Sequence, residues 1–458
     1  MKTLHVPFHY YPDSVGGTEV YAAALADRLQ RTGHPCAIAA PGEREETYQH
    51  EGIPVHRFAV SALHDVSELY DEGNALACEQ FERILHAVRP ELVHLHGMSP
   101  AISLRVLRAI RRRDIPVVLT VHIPGILCTR GTFLKYGTEV CDGVVEVQKC
   151  TSCELQSKGM PVSLASIVAA LSQDLGRCVS LLNVRAPWAT ALRMSELQAS
   201  RISNLRSFLA EVDHMIAVSG WLREVLLANG LPSEKVSLCR HGATQLDMAT
   251  SPRRVTCANG VKRIAYVGRL IPAKGVHVLI NALLAEPRLP AELDIYGIEQ
   301  DDASYPRNLR AQAFGDSRIR FLDAVPNSTV LEQLRKYDVV AIPSIWLETG
   351  PLTVYDAFAA GVPVIGSRRG GIVELVRDEV DGILVEAGNV QAWSSTFRRI
   401  CTEPGLLPRL RSGVKPPRSM DAVAAEMLEL YEKIFQKDFA GASEASRAIS
   451  QADFMVRA

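Results

Sequence analysis

Two series of short apolar runs, each run followed by a stretch of helical period, leave this chain few folds to choose from. The first series has runs at residues 4–6, 36–39, 92–96 and 117–120, separated by helix-like stretches at 20–30, 80–88 and 103–112. The run at 117–120 follows Pro116 and is rich in β-branched residues, as a parallel strand covered on both faces requires. Runs resume at 214–218 and 236–239. Beyond a polar stretch at 245–260, which reads as an interdomain linker, they continue at 263–267, 293–296, 319–322, 339–342 and 363–366. Such alternation builds β-α-β units, so the chain reads as two α/β halves. Ligands of such sheets sit beyond the carboxyl ends of the strands, which directs attention to the loops after Val6, Thr120, Val267, Ile342 and Ile365.

The first series is interrupted. From about residue 124 to 210 the pattern becomes mainly helical, with Leu164, Ile167, Val168, Leu171 and Leu175 on one helical face, and this segment reads as an insertion. The expected division is an N-terminal domain at 1–245 that takes back a C-terminal helix at 421–437, a C-terminal domain at 246–420 and a flexible tail at 438–458. Lys and Arg total 50 against 51 Asp and Glu, so no bulk charge draws the chain to nucleic acid. No run approaches the roughly 18 apolar residues of a membrane span. The expectation is a cytoplasmic protein with at most peripheral membrane contact on the inner face. Arg105, Arg108, Arg111, Arg112 and Arg113 make one helix strongly basic, either a solvated face or a rest for anionic lipid. His94 and His96, two apart, point to one face of a strand, as core residues or as a ligand pair.

Three loops bear residues suited to chemistry. Gly16 and Gly17 open a helix after the first strand, a turn that also lets backbone amides approach an anion. Arg269 and Lys274, five apart between a strand and a helix, suit a pyrophosphate: Arg grips two oxygens and Lys adds a point charge. Glu348 lies in the loop before the helix that contains Asp356, and the amides of Gly350 and Leu352 are free to face a ligand. Two carboxylates there would bind two sets of sugar hydroxyls, or serve only as a helix-dipole partner and a solvated residue.

In order along the chain stand Gly16-Gly17-Thr18-Glu19, Gly33-His34, His94-Leu95-His96, Thr120-Val121-His122, Val218-Ser219 and Val267 to Gly275. Tyr296-Gly297, Asp338 to Ser344, Glu348 to Asp356, Ala360 to Val364, Gly370 to Glu374 and Asp381-Gly382 follow. This set resembles the retaining glycosyltransferases of family four. The resemblance implies the GT-B architecture, two Rossmann-like α/β/α domains facing a cleft, here with a mainly helical cysteine-containing insertion. It implies transfer of a hexosyl group from a nucleoside diphosphate sugar, a UDP- or GDP-sugar, to a hydroxyl of a glycan or lipid-linked acceptor in polysaccharide or glycoconjugate biosynthesis. Position by position, it implies that Arg269 and Lys274 hold the donor diphosphate, with Gly16, Gly17, Gly268 and Gly297 beside it. His122 would lie near the transferred sugar. Glu348, Thr349, Gly350, Pro351 and Leu352 would meet the sugar hydroxyls, and Asp356 the ribose, one methylene shorter than the family's second glutamate. His122, Arg269, Lys274 and Glu348 are the catalytic candidates. No Asp-x-Asp follows an apolar strand, and the transfer is expected to need no cofactor. The competing readings are an inactive GT-B binding protein of sugar nucleotides or glycans, and an epimerase or phosphorylase of similar architecture.

Cys128, Cys141, Cys150 and Cys153 crowd into 26 residues with twelve, eight and two residues between them. Four thiolates suit a structural zinc ion; an iron–sulfur cluster, reduced thiols and a redox-active Cys150–Cys153 pair are the alternatives.

Overall fold

A computed structural model describes residues 1–13, 16–62, 69–171, 173–181, 184, 186–246, 260–299 and 304–436. Most of the interdomain linker and the whole tail beyond 437 lie outside them. The first half forms strands β1 (Thr3–Val6), β2 (Cys36–Gly42), β3 (Glu46–His50), β4 (Ile53–Ala59), β5 (Leu92–Leu95), β6 (Val117–Val121), β7 (Leu134–Lys135), β8 (Glu139–Val140), β9 (His214–Ala217) and β10 (Val236–Leu238). The second forms β11 (Lys262–Arg269), β12 (Ala291–Ile298), β13 (Ile319–Leu322), β14 (Val339–Ile342), β15 (Val364–Ser367) and β16 (Gly382–Val385). The N-terminal sheet runs β10-β9-β6-β5-β1-β2-β4-β3, parallel except for β3 at its edge. The C-terminal sheet runs β13-β12-β11-β14-β15-β16, parallel throughout.

Both faces of each sheet are covered, which is why the strands read as apolar runs. In β6, Val117, Leu119 and Val121 point into a layer that includes the helices Leu104–Arg111 and Pro187–Glu211, while Val118 points into the opposite layer. That opposite layer consists of the Gly17–Arg31 helix and a helix over residues 420–436, whose Met420, Val423, Met427 and Tyr431 are buried there. The last helix thus crosses back from the second half to cover the first sheet.

The structure departs from the sequence reading in four places. Strands β3, β4 and β16 carry no distinctive apolar run in the first reading, and β3 is a half-exposed polar edge. The insertion holds a small hairpin, β7–β8, besides its helices. The apolar face expected at 164–175 belongs to two helices, Val162–Ala169 and Gln173–Leu181, bent by 86°. These pack inward through Ala165, Ala169, Gly176 and Val179, so Leu164, Ile167 and Leu175 point to solvent. Fourth, the basic helix is neutralised: Arg105 and Arg108 pair with Glu72, Arg108 also with Glu211, Arg111 with Asp213, and Arg112 and Arg113 with Glu82. That face therefore offers little net charge to a lipid surface. Among the described residues no single helix is long and apolar enough to cross a membrane; the bent pair meets that measure only when its two helices are counted together.

Candidate functional site

Strand β11 ends at Arg269 and is followed by a tight turn, Pro272–Lys274. Gly275 closes that turn with φ of 72°, and a Cβ there would stand 2.1 Å from the carbonyl oxygen of Pro343, so only glycine lets the turn lie against the end of β14. The amide of Ile345 donates to Ala273 O at 2.9 Å and fixes the contact. Lys274 Nζ then reaches Glu348 Oε1 at 2.7 Å, and the same oxygen accepts from Ser344 Oγ at 2.5 Å and Trp346 Nε1 at 2.7 Å. Burial pushes the Glu348 carboxyl up, but the Lys274 charge and these three donors outweigh it and hold it below the usual glutamate value. Three donors on one oxygen fix the carboxylate. Its Oε2 has no hydrogen-bond partner among the described residues.

The loop after Glu348 enters the Leu352–Ala359 helix. Gly370, with φ of 51°, packs under it: a Cβ there would lie 2.6 Å from Glu348 O, which instead accepts from the Gly371 amide at 2.6 Å. Among the described residues the amides of Thr349 and Gly350 donate to nothing, and those of Leu352 and Thr353 open the helix without an intrahelical acceptor. Pro351 has no N–H, so the run of amides expected from Thr349 to Leu352 has a gap. From the other domain comes the Gly17–Arg31 helix, with Gly16 as its N-cap; a Cβ on Gly17 would touch Leu352 Cδ1 at 3.4 Å. Two helix N-termini meet here, and both present positive dipole ends. Arg269 adds its charge and forms no ion pair among the described residues. Its field helps draw back the buried Glu19 carboxyl, which burial pushes up. Gly268 lies opposite Gly297 in the β11–β12 ladder, and the space beside Gly297 is filled by Leu270, so that glycine shapes the packing behind Arg269. Asp356, half-buried on the helix, has no partner among the described residues, and burial pushes its carboxyl up to about 7.

His122, expected near the transferred sugar, has its ring engaged on both sides within the protein. Its Nδ1 is 3.1 Å from His241 Nε2 and its Nε2 is 3.1 Å from His96 Nδ1. His96 Nε2 in turn is 3.1 Å from His5 Nδ1, and His241 Nδ1 is 2.8 Å from Gly350 O. Both ring nitrogens of His122 are therefore in use within the protein. Burial lowers all four rings, helped at His96 and His122 by neighbouring imidazoles and at His241 by the Arg418 charge; His241 falls to about 4 and His5 to about 3, so the chain is neutral at pH 7. A neutral imidazole has one N–H. Since the Gly350 carbonyl only accepts, His241 donates from Nδ1, and the same assignment passes to His122, His96 and His5 in turn. The carbonyl of His122 accepts from Thr349 Oγ1 at 2.5 Å, a second tie to the donor-side loop. His5, His94 and His96 have ligand atoms within 4.8 Å of one another, yet each of their six ring nitrogens already has a hydrogen-bond partner, so the trio is a satisfied polar core.

Several residues at this site have no role in the sequence reading. Ser344 and Trp346 stand inside the segment around Glu348. Glu374 accepts from the amides of Gly220 and Trp221 at 2.8 Å each and from Arg240 at 3.0 Å, capping a helix of the other domain. Trp221 Nε1 donates to Glu348 O at 3.1 Å. His241 has no local signal at all. On the N-terminal side a cavity of about 290 Å³ opens between the loops after β5 and β6 and the insertion; Tyr70, Ser99, Ser103, Glu154, Arg201 and Asn204 are among its walls. The four clustered cysteines line a separate small cavity of about 30 Å³. Burial pushes the thiols of Cys141, Cys150 and Cys153 up, the opposite of what a nucleophilic redox pair requires.

The chain is similar to known proteins over most of its length. A family model described as Glycosyltransferase Family 4 matches residues 15–243, and one described as Glycosyl transferases group 1 matches residues 248–415. An uncharacterized glycosyltransferase of Methanocaldococcus jannaschii is 24% identical over 453 residues, covering 94% of this chain and 98% of that protein. A D-inositol 3-phosphate glycosyltransferase of Salinispora arenicola is 32% identical over 181 residues, 37% of this chain and 40% of that protein, so the match spans less than half of that relative's length. Among solved structures, sucrose-phosphate synthase from Thermosynechococcus elongatus superposes with a TM-score of 0.66 at 17% identity, over 95% of this chain and 99% of that one. Anabaena HepE in complex with UDP and glucose superposes with a TM-score of 0.60 at 16% identity, over 94% and 99%. At such identities the likeness establishes the shared two-domain fold.

Proposed function

The chain belongs to glycosyltransferase family 4, and from that premise we propose a retaining transfer of a hexosyl group from a nucleoside diphosphate sugar to a hydroxyl of a glycan or lipid-linked acceptor, in polysaccharide or glycoconjugate assembly. The observation that supports it most is Glu348, fixed through one oxygen by Lys274, Ser344 and Trp346 while the other stays open to a sugar hydroxyl. Breaking a glycosyl phosphate bond builds negative charge on the departing diphosphate. Arg269, Lys274 and the two facing helix N-termini put fixed positive charge where that develops, which favours the transition state over the bound substrate. Asp356 is the proposed acceptor of the ribose hydroxyls.

A UDP-sugar is the first donor to test, because HepE, a structural neighbour, was solved with UDP and glucose; a GDP-sugar is the second. The cavity beside the insertion is the proposed acceptor pocket, and its mixture of hydroxyl, amide and charged groups suits a polyhydroxylated molecule. A nucleotide sugar drawn from the cell interior would place the reaction in the cytoplasm. The test is thermal stabilisation of the purified protein by UDP, GDP, ADP and their sugar conjugates. Ligand at a hundredfold over its Kd should add about 2.7 kcal/mol to the wild type and far less to Arg269→Ala. Equal shifts in both proteins, or none with any nucleotide, would overturn the donor assignment.

A further inference from the structure

We propose that Cys128, Cys141, Cys150 and Cys153 bind one zinc ion as a tetrathiolate, and that this ion holds the insertion against the loop that contains Glu348. The four sulfurs come from three separate pieces of chain. Cys128 follows the short helix Pro124–Ile126 beyond β6. Cys141 directly follows the β7–β8 hairpin, its amide donating to Phe133 O at 2.9 Å. Cys150 and Cys153 lie on the Val147–Ser157 helix, one turn apart. All four line the same 30 Å³ cavity, whose remaining walls include Leu127, Phe133, Leu134 and Val145. That space is the size of a single small ligand.

The segment from 127 to 146 is anchored by Leu127, Phe133, Leu134 and Val145 in the N-terminal core and by Asn229, which bonds Val145 N and Gly143 O, but it has little regular structure of its own. Its regular structure is a hairpin of two-residue strands, far below what is stable alone in water, and a staple of this kind is how such short segments are ordered. Charge supports the same assignment. Four thiolates around Zn²⁺ leave a net charge of about −2, and two arginines without a carboxylate hydrogen-bond partner among the described residues, Arg201 and Arg130, act on the cysteines from nearby. Arg201 is held by the carbonyls of Gly125, Ile126 and Leu127, with no carboxylate among its hydrogen-bond partners. Arg130 donates to Cys153 O at 3.2 Å, whereas Lys149, which lines the cavity beside Cys150, is already paired with Asp142 at 2.7 Å. The amide of Tyr136 already points at Cys153 Sγ at 3.4 Å, as backbone amides do toward metal-bound thiolates.

Among the described residues no three of these sulfurs lie within 4.8 Å of one another, whereas a tetrahedral zinc site with bonds of about 2.3 Å sets them roughly 3.8 Å apart. Binding would therefore draw the side chains inward and release the thiol protons. The ordered segment also reaches the donor side. Thr132 O accepts from the Leu347 amide at 3.3 Å, next to Glu348, and Phe133 packs edge-on against Trp221 at 5.7 Å between ring centroids. Trp221 in turn donates to Glu348 O. The zinc site would thus be a positioning element for the donor loop.

The decisive measurement is the metal content of the full-length protein purified without chelator, followed by titration with an organomercurial in the presence of a zinc indicator. The expected result is about one zinc per chain, released as four thiols are blocked, and none in the Cys150→Ser/Cys153→Ser variant. Zinc far below one equivalent, zinc retained by the double variant, or iron with acid-labile sulfide would overturn the proposal. If the double variant is insoluble, the wild-type titration decides alone. These readouts need no donor and no turnover, so their failure is distinct from failure of the glycosyltransferase reading. Positioning has its own readout: zinc-depleted protein should lose the stabilisation by nucleotide that the intact protein shows, and an unchanged nucleotide shift after depletion would overturn the link to the donor loop.

Discussion

Replacing Lys274 with methionine keeps the length of the side chain and removes its charge, which isolates what that charge does for Glu348. The pair is 2.7 Å long, with the Glu348 side chain 6% exposed and that of Lys274 20%. Breaking a fully buried pair by removing one partner costs about 3–5 kcal/mol, since the remaining charge is stranded away from water. Lys274 keeps some solvent, and Ser344 and Trp346 still donate to the carboxylate, so the expected cost is lower, about 2–3 kcal/mol. For a domain of this size that corresponds to a fall in Tm of about 5–10 °C. The sign of the pH dependence follows from the lowered Glu348 carboxyl. Stability from that lowering is present above the unfolded-state value of about 4.5 and is lost as pH falls through the folded value. The gap between wild type and Lys274→Met should therefore be full at pH 7 and narrow toward pH 4. Adding Glu348→Gln should rescue part of the loss, because the stranded charge is gone. Calorimetric melts of the four proteins of this cycle at pH 7 and 3.5 check it. A loss below about 0.5 kcal/mol at pH 7, or a gap that is the same at both pH values, would refute the reasoning.

Two other expectations rest on the same site. Burial holds the unpartnered Asp356 carboxyl near 7; hydroxyl donors of a ribose favour its ionised form, so UDP affinity should weaken up to tenfold per pH unit below about 7 in the wild type and lack that component in Asp356→Asn. Calorimetric titration from pH 5.5 to 8 reads the difference between the two proteins, which cancels the titration of the nucleotide's own phosphate; identical profiles would sink the ribose assignment. The histidine chain predicts that His5, His96, His122 and His241 are all neutral with the proton on Nδ1, and that His241→Phe costs about 1–3 kcal/mol by orphaning His122 Nδ1 and the Gly350 carbonyl. Nitrogen NMR of histidine-labelled protein reports the tautomers, and a single ring protonated on Nε2 alone at pH 7 would break the argument.

The parts of this protein legible from sequence are those whose cause is local. Parallel strands covered on both faces must be apolar runs, so β1, β5, β6, β11 and β14 announce themselves; Arg269 ends β11, and His122, Lys274, Glu348 and, further out, Gly16 lie in the segments that follow these strands. Illegible are the side chains whose meaning depends on a partner far along the chain. Five arginines on one helix read as a basic face, yet their charge is answered by Glu72, Glu82, Glu211 and Asp213, two of them more than 100 residues away. The sequence places His122 near the transferred sugar but does not show that His96, 26 residues before it, and His241, 119 residues after it, occupy both its ring nitrogens. Glu374 stands in the sequence only as the end of the Gly370-to-Glu374 motif, and only the fold brings it to the amides of Gly220 and Trp221. These distant partners share one location. The His241 bond to Gly350, the Thr349 bond to the His122 carbonyl, the Glu374 cap and the Trp221 bond to Glu348 all cross from one domain to the other at the donor loop. A family motif places chemically apt residues at the ends of strands; in this chain partners far along the sequence tie the two halves together around Glu348, and substitution of His241 or Trp221, which stand outside every motif, should disturb donor binding.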